Sequence, residues 1–408
     1  MMNKDSEQLN YDMSVIEAPD EPLSRTDIYK ALQNWLDSDR LSRVTLCGKK
    51  VTVYETPDAR IVLLCKAVTY LGNPHPAFKK RIQIPSSYLR FCDELDRACP
   101  GYDVRFIGVY HFRGNIIFVD FSKHTYLRRR LHNSSAHVYV NDLYQGMIYG
   151  VFSKLDKSGN TITTIRNDRF KEYLEAREID NNATLFRLFS KFNSGFPFGQ
   201  WLYALNAIKE MHSNDWTHWR QTEWAGWFLE YRFEDFIKKN HIEDKMLYTG
   251  TSNKKEGMPD FDIRFIEEDF YGDLKASGKS NTDVPGNDQK SLIDCIYRYH
   301  RFWYVIYEHE TKKDAPPDYT ATRERNRYIK SVDASYNKGE LSYKSRMKHS
   351  VCFDRMTIIE LNPVNFREVL RNFNQGHQPD GSPRAPKFKI NKKVLNNDNY
   401  VVFRYVHP

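Results

Sequence analysis

No apolar run in this chain is long enough to cross a bilayer, and the mean hydropathy of −0.69 argues the same way. The opening residues, MMNKDSEQLNYDMS, lack the apolar core of a secretion signal, so a cytoplasmic location is expected. Cysteine is scarce, with six in 408 residues at scattered spacings. The closest pair, Cys92 and Cys99, has a helix-face spacing rather than the tight hook that holds zinc. Reduced thiols are therefore expected, not a disulfide framework. Internal repeats and low-complexity tracts are missing too. What is present suffices for packed cores: 40% of residues are hydrophobic and 14% aromatic. The length favours two domains. The net charge of +8 is small for the size and leans only modestly toward a polyanionic partner.

The first twenty residues read as a frayed arm. SRTDIYKALQNWL reads as a helix capped by Ser24 or Thr26. From Val44 to about Phe170 short apolar or alternating runs predict strands (KKVTVYE, ARIVLLCKAV, YDVRFIGVYHF, NIIFVDFS), with Arg113–Gly114–Asn115 as a hairpin turn and SYLRFCDELDRAC as a helix. This half, 1–175, is expected to be an α+β domain. In 176–408 the helical segments QWLYALNAIKEMH and EWAGWFLEYRFEDFIKK lead into MPDFDIRFI, FYGDLKAS, DQKSLIDCIYRYHR and FWYVIYEH. That order (helix, strand, strand, helix, strand) predicts an α/β domain with a mixed sheet between helices. KDAPPDYTATRERNR reads as a loop, and RMTIIELN and YVVFRYV as closing apolar segments.

Residues two apart on a strand share a face, so YGDLKAS puts Asp273 and Lys275 together, with Leu274 opposite. PDFDIRF places Phe261, Ile263 and Phe265 on one apolar face and Asp260 at the strand's mouth. Pairing of the two strands would bring Asp260 and Asp273 to one end of the sheet beside Lys275. Paired carboxylates are hard oxygen ligands suited to Mg²⁺, and a nearby Lys can orient a water and stabilise charge on a phosphoryl group. The plain alternative is a surface hairpin with a cross-strand ion pair. Asp262 shares Asp260's side of the strand; a solvated or Arg264-paired role is preferred for it. Asn287 or Asp288 is read as the cap of the following helix, and Leu292, Ile296, Tyr299 and Trp303 as core.

Pro259-Asp260 followed by Asp273-Leu274-Lys275 resembles the PD-(D/E)xK nuclease superfamily, which includes most type II restriction endonucleases. Ala225-Gly226 and Leu229-Glu230 are similar to the pattern on the helix that carries that family's further acidic residue. The match offers Glu230, with Glu223 as the alternative. The resemblance covers roughly 200–308. It implies a restriction-endonuclease-like core in the second half, with Asp260, Asp273 and Glu230 as Mg²⁺ ligands and Lys275 orienting the water. It further implies hydrolysis of duplex DNA to 5′-phosphate and 3′-hydroxyl ends, a homodimer, and a cognate methyltransferase as functional partner. Other classes stay open: a non-enzymatic DNA-binding protein on a nuclease-like scaffold, or a repair nuclease for single-stranded or branched DNA or RNA.

Basic residues interleaved with aromatic and amide residues mark expected DNA contacts in the first half. These are Lys79, Lys80, Arg81, Arg128, Arg129, Arg130, Arg166 and Asn167, to which Lys279 adds a candidate in the second half. His111, His124, His132 and His137 lack partners at ligand spacing and do not predict a metal site.

Overall fold

The computed structural model describes residues 5–121, 133–176, 181–250, 260–315, 317, 319–336, 347–373 and 384–407. The chain divides into two compact units, Met1–Ala183 and Thr184–Pro408, each of mixed sheets flanked by helices. No helix among the described residues is long and apolar enough to cross a membrane.

The first unit opens with a hairpin of β1 (Ser6–Leu9) and β2 (Val15–Ala18), where the polar sequence suggests a frayed arm. Its polar side chains Ser6 and Gln8 are buried but satisfied. Tyr110 Oη accepts the Leu9 amide at 2.8 Å and donates to Gln8 Oε1 at 3.1 Å, while Gln8 Nε2 donates to Asp20 at 2.8 Å. Helix α1 (Arg25–Trp35) follows, with Ser24 accepting the Asp27 amide as its cap. The remaining elements are β3 (Leu41–Leu46), β4 (Lys49–Glu55), β5 (Arg60–Ala67), β6 (Thr69–Tyr70), β7 (Lys79–Ile84) and α2 (Ser86–Ala98). After them come β8 (Tyr102–Phe112), β9 (Asn115–Phe121), β10 (Ser134–Tyr139), α3 (Val140–Tyr149), β11 (Val151–Leu155), β12 (Thr161–Arg166) and α4 (Phe170–Glu175). A seven-stranded sheet runs β11-β12-β9-β8-β5-β4-β3, and a smaller one runs β10-β7-β6. Only β5 and β8 are parallel in the large sheet. Arg113 and Gly114 both take positive φ (47° and 81°), the two-residue turn that matches strand twist.

The second unit contains α5 (Asn181–Gly195), β13 (Trp201–Tyr203), α6 (Ala204–Ser213), α7 (Trp224–Asn240), β14 (Met246–Tyr248), β15 (Ile263–Phe265) and β16 (Phe270–Gly278). It continues with β17 (Asp283–Asp288), α8 (Gln289–Tyr299), β18 (Phe302–Lys313), α9 (Thr320–Val332) and β19 (Lys348–Leu361). It ends with α10 (Phe366–Val369), β20 (Leu370–Phe373), β21 (Lys387–Asn391) and β22 (Val401–Val406). The main sheet runs β13-β19-β18-β16-β15-β14, with β22 also on β19; β17, β21 and β20 form a separate sheet. Strands β16 and β18 are parallel, joined through α8. Phe302 to Tyr307 are fully buried, as a central strand covered on both faces requires. Thr320–Val332, half of it read as loop from the sequence, is helical. Its anchor is distant: buried Asp314 accepts the amides of Ala321 (3.1 Å) and Thr322 (2.9 Å) and the Thr322 hydroxyl (2.6 Å).

Candidate active site

The site is built on β16, between its antiparallel neighbour β15 and its parallel neighbour β18. Alternation along β16 puts Asp273 and Lys275 on one side, and Lys275 Nζ forms an ion pair with Asp273 Oδ2. That oxygen is buried and accepts no hydrogen bond, so the ammonium is what meets it. Asp273 Oδ1 accepts from Asn287 Nδ2 at 3.0 Å, and Asn287 is oriented by the Tyr304 hydroxyl, which donates to its Oδ1 at 2.8 Å. Tyr304 comes from β18 and is fully buried. Asn287 sits at the end of β17; Asp288 beside it accepts the Ser291 amide and caps α8.

The carboxylate that joins this pair from the β15 side is Asp262, not Asp260. Asp262 Oδ2 accepts the Leu274 amide at 2.9 Å, which fixes it against β16 between Asp273 and Lys275 in sequence. Burial, then the charges of Asp273 and Glu230, hold its carboxyl well above the ordinary carboxylate range. Asp260 is exposed. The reason lies in where the strand begins. β15 starts only at Ile263, so strict alternation does not extend back through Phe261. Phe261 packs on Tyr271 and Phe302, whereas Phe265 packs on Phe270 and Trp303. The three apolar residues expected on one face therefore divide between two. The segment is fastened by Thr249, whose amide donates to Asp262 O (2.8 Å) and whose hydroxyl donates to Phe261 O (2.7 Å). Arg264, the partner expected for Asp262, pairs instead with Asp269 and lies over Tyr271 and Tyr299.

From α7, Glu230 reaches the same cluster, whereas Glu223 precedes the helix, is exposed and pairs with Lys348 at 3.3 Å. Glu230 Oε2 accepts from Tyr248 Oη at 2.6 Å. Burial pushes its carboxyl up to about 7, against the Tyr248 hydrogen bond and the Lys275 charge, with Asp273 adding repulsion. Burial opposes charge on Lys275, but Asp273 and Asp262 outweigh it and hold the ammonium above the usual lysine range. Lys275 is thus a cation at neutral pH, suited to orienting and stabilising rather than taking up a proton.

Among the described residues no group of three or more His, Cys, Asp or Glu side chains is arranged to hold a metal ion. Asp262 and Asp273 are two carboxyl groups that offer hard oxygen donors side by side, with Asp273 Oδ2 met by the Lys275 ammonium. That donor set fits Mg²⁺, which keeps water ligands and takes others from substrate phosphate rather than needing an all-protein cage. Among the expected DNA contacts, Lys80 is corrected: it is fully buried, donating to Ser6 Oγ (2.9 Å) and Asp20 Oδ1 (2.8 Å). Its strand neighbours Lys79 and Arg81 are partly exposed on the other face of β7. Arg166 is engaged with Asp168 and Met147 O, and Asn167 Oδ1 accepts the Asp168 amide at 2.9 Å. Lys279 pairs with Asp354 and with Glu310. Arg128, Arg129 and Arg130 lie outside the described residues, as do His124 and His132.

Residues 59–174, within the first unit, match the family described as Methylase-associated X1. No curated protein and no solved structure matches the chain. The matched segment runs from the start of β5 to the last turn of α4 and lies outside the carboxylate cluster.

Proposed function

We propose that this chain is a Mg²⁺-dependent endonuclease that cuts duplex DNA and works in a restriction-modification system alongside a methyltransferase. The observation that carries the reading is Lys275 held as a cation against two carboxylates, Asp273 and Asp262, on a strand next to Glu230. The likeness of 59–174 to a methylase-associated family supports the restriction-modification setting. Asp262 and Asp273 would hold Mg²⁺, which when bound supplies Lewis acidity toward a phosphate oxygen and an acidified water. Lys275 donates a hydrogen bond to the attacking water or to a phosphate oxygen and stabilises charge there. Asn287 and Tyr304 keep Asp273 in one rotamer, and Leu274's amide does the same for Asp262. Glu230, donated to by Tyr248, accepts a proton near neutral pH. In the PD-(D/E)xK superfamily such hydrolysis leaves 5′-phosphate and 3′-hydroxyl ends, and a homodimer would cut both strands.

The test is digestion of supercoiled plasmid and of single-stranded circles, in Mg²⁺ or EDTA, by wild type, Lys275→Ala, Asp262→Asn and Asp260→Asn. Discrete Mg²⁺-dependent fragments of the plasmid are expected from wild type. Lys275→Ala and Asp262→Asn should lose about 10²-fold or more, the scale of a removed acid-base or charge-stabilising group. Asp260→Asn should stay within a few-fold of wild type. Equal activity in wild type and Lys275→Ala would sink the catalytic assignment. Cutting confined to single-stranded circles would move the substrate to repair-type DNA.

A further inference from the structure

The first unit contains a pocket of about 550 Å³ that the proposed cleavage chemistry does not use. It lies where β4 begins, near the first turns of α1 and α2. Five of its lining residues are cationic: Arg25, Arg43, Lys49, Lys50 and Lys66. None of its lining residues is acidic. Among the described residues none of the five cations forms an ion pair. Continuing the β4–β5 register from Thr52↔Leu63 sets Lys49 opposite Lys66, a like-charge pair. Burial lowers the affinity of both ammonium groups for their protons, and Arg25 lowers it further at each.

Aromatic rings hold these cations in place. Lys49 Nζ is 3.9 Å from the centre of the Tyr88 ring, and the Arg43 guanidinium is 3.8 Å from that of Tyr29. The first turn of α2 also borders the pocket, through Ser87 and Tyr88, with the Ser86 amide taken by Asn133 Oδ1 at 3.0 Å. Apolar side chains line the pocket as well: Ile28, Leu32 and Leu63, which pack together on the α1 side, and Leu64 from the other face of β5. Unpaired positive charge beside apolar side chains, in a volume typical of small-molecule sites, selects a ligand with an anionic end and a flat, weakly polar body.

We propose that this pocket binds a phosphorylated nucleotide, its phosphate among Lys49, Lys66 and Arg25 and its base toward the apolar side chains. Two sources share that chemistry: a free nucleotide, and a nucleotide unit of single-stranded DNA. The pocket is built from residues of the first unit and the Asp273 site from residues of the second, so binding and cleavage are read by separate measurements.

Calorimetric titration of the full chain in EDTA, which prevents metal-dependent cutting, reads the pocket alone. The probes are ATP, a five-nucleotide single-stranded DNA and inorganic pyrophosphate. Saturable binding of ATP or of the oligonucleotide, tighter than that of pyrophosphate, is expected, and the tighter arm identifies the source. The Lys49→Gln/Lys66→Gln double variant should weaken it at least 10-fold, and Lys30→Gln, on the same α1 helix but paired with Asp27, should leave it unchanged. Arg43→Gln, on the exposed rim, should weaken binding several-fold and serves should the double variant fail to fold. Absence of saturable binding at millimolar probe, equal binding by wild type and Arg43→Gln, or pyrophosphate matching both nucleotide probes would overturn the proposal.

Discussion

At the scale of single residues, Glu230 offers the sharpest handle because its carboxyl is raised to about 7 from an ordinary 4.5. A raised acid binds its proton more tightly in the folded chain than in the unfolded one. Its contribution to stability is therefore complete below about pH 4.5 and is lost as pH climbs through 7. Asp262, raised in the same direction, adds a loss of the same sign. Glu230→Gln removes one of these losses. In EDTA the variant should be more stable than wild type at pH 8, by on the order of 1–3 kcal/mol, with the gap closing toward pH 4.5. Thermal melts across that range check it. A variant that melts below wild type at pH 8 would mean that Glu230 is charged and well served where it stands. The same residues show how far the site could be read in advance. Alternation alone identifies the Asp273–Lys275 pair. It fails at Asp260 because β15 begins at Ile263, and a strand's first residue is set by pairing, which a single strand's sequence does not encode. Asn287 reads locally only as a candidate helix cap and Tyr304 only as part of an apolar strand; the end of β17 and β18 bring them to Asp273.

At the scale of elements, legibility followed how much of each element's environment is local. The strands β4, β5, β8 and β9 alternate or run apolar, and the hairpin turn has its own chemistry at Arg113–Gly114, so they are found close to where the sequence puts them, whereas β6 and β7 between them are not among the runs that read as strands. Helix α3 is different. Val140, Leu143, Tyr144 and Met147 do fall at helical spacing, but the polar residues between them, Asn141, Asp142 and Gln145, are buried as well, so the helix is enclosed by tertiary packing that its local pattern does not announce. Helix α9 has a clear period but no adjacent cap, because Asp314 supplies it from beyond a proline-containing turn. Asp314→Ala should therefore unseat the start of α9. Two backbone amides and a hydroxyl lose their acceptor in a buried setting, at a cost of about 1–3 kcal/mol. Lower thermal stability together with faster hydrogen exchange over 320–325 is expected. Unchanged exchange there would show that the helix start is held by packing alone.

For the molecule as a whole, the net charge of +8 is a poor guide to DNA binding, because many of its cations are already matched to carboxylates. Salt dependence is the better measure. It counts phosphate contacts, with a slope of about 0.9 per contact in a plot of log affinity against log salt. Asp262→Asn, expected to be cleavage-deficient, is the background in which duplex binding would be followed. Lys79 and Arg81 project from the partly exposed face of β7, whereas Lys80 between them is buried against Asp20. On that background Lys79→Gln/Arg81→Gln should reduce the slope by about 2. Lys80→Met should leave the slope alone but lower thermal stability, because Asp20 then keeps a partly buried charge without its ion-pair partner. A strand's alternation thus divides the three basic residues into two partly exposed and expected to report on DNA, and one buried and expected to report on folding. An unchanged slope in the double variant would remove β7 from the DNA-binding surface, while leaving the Asp273 site to be judged by cleavage.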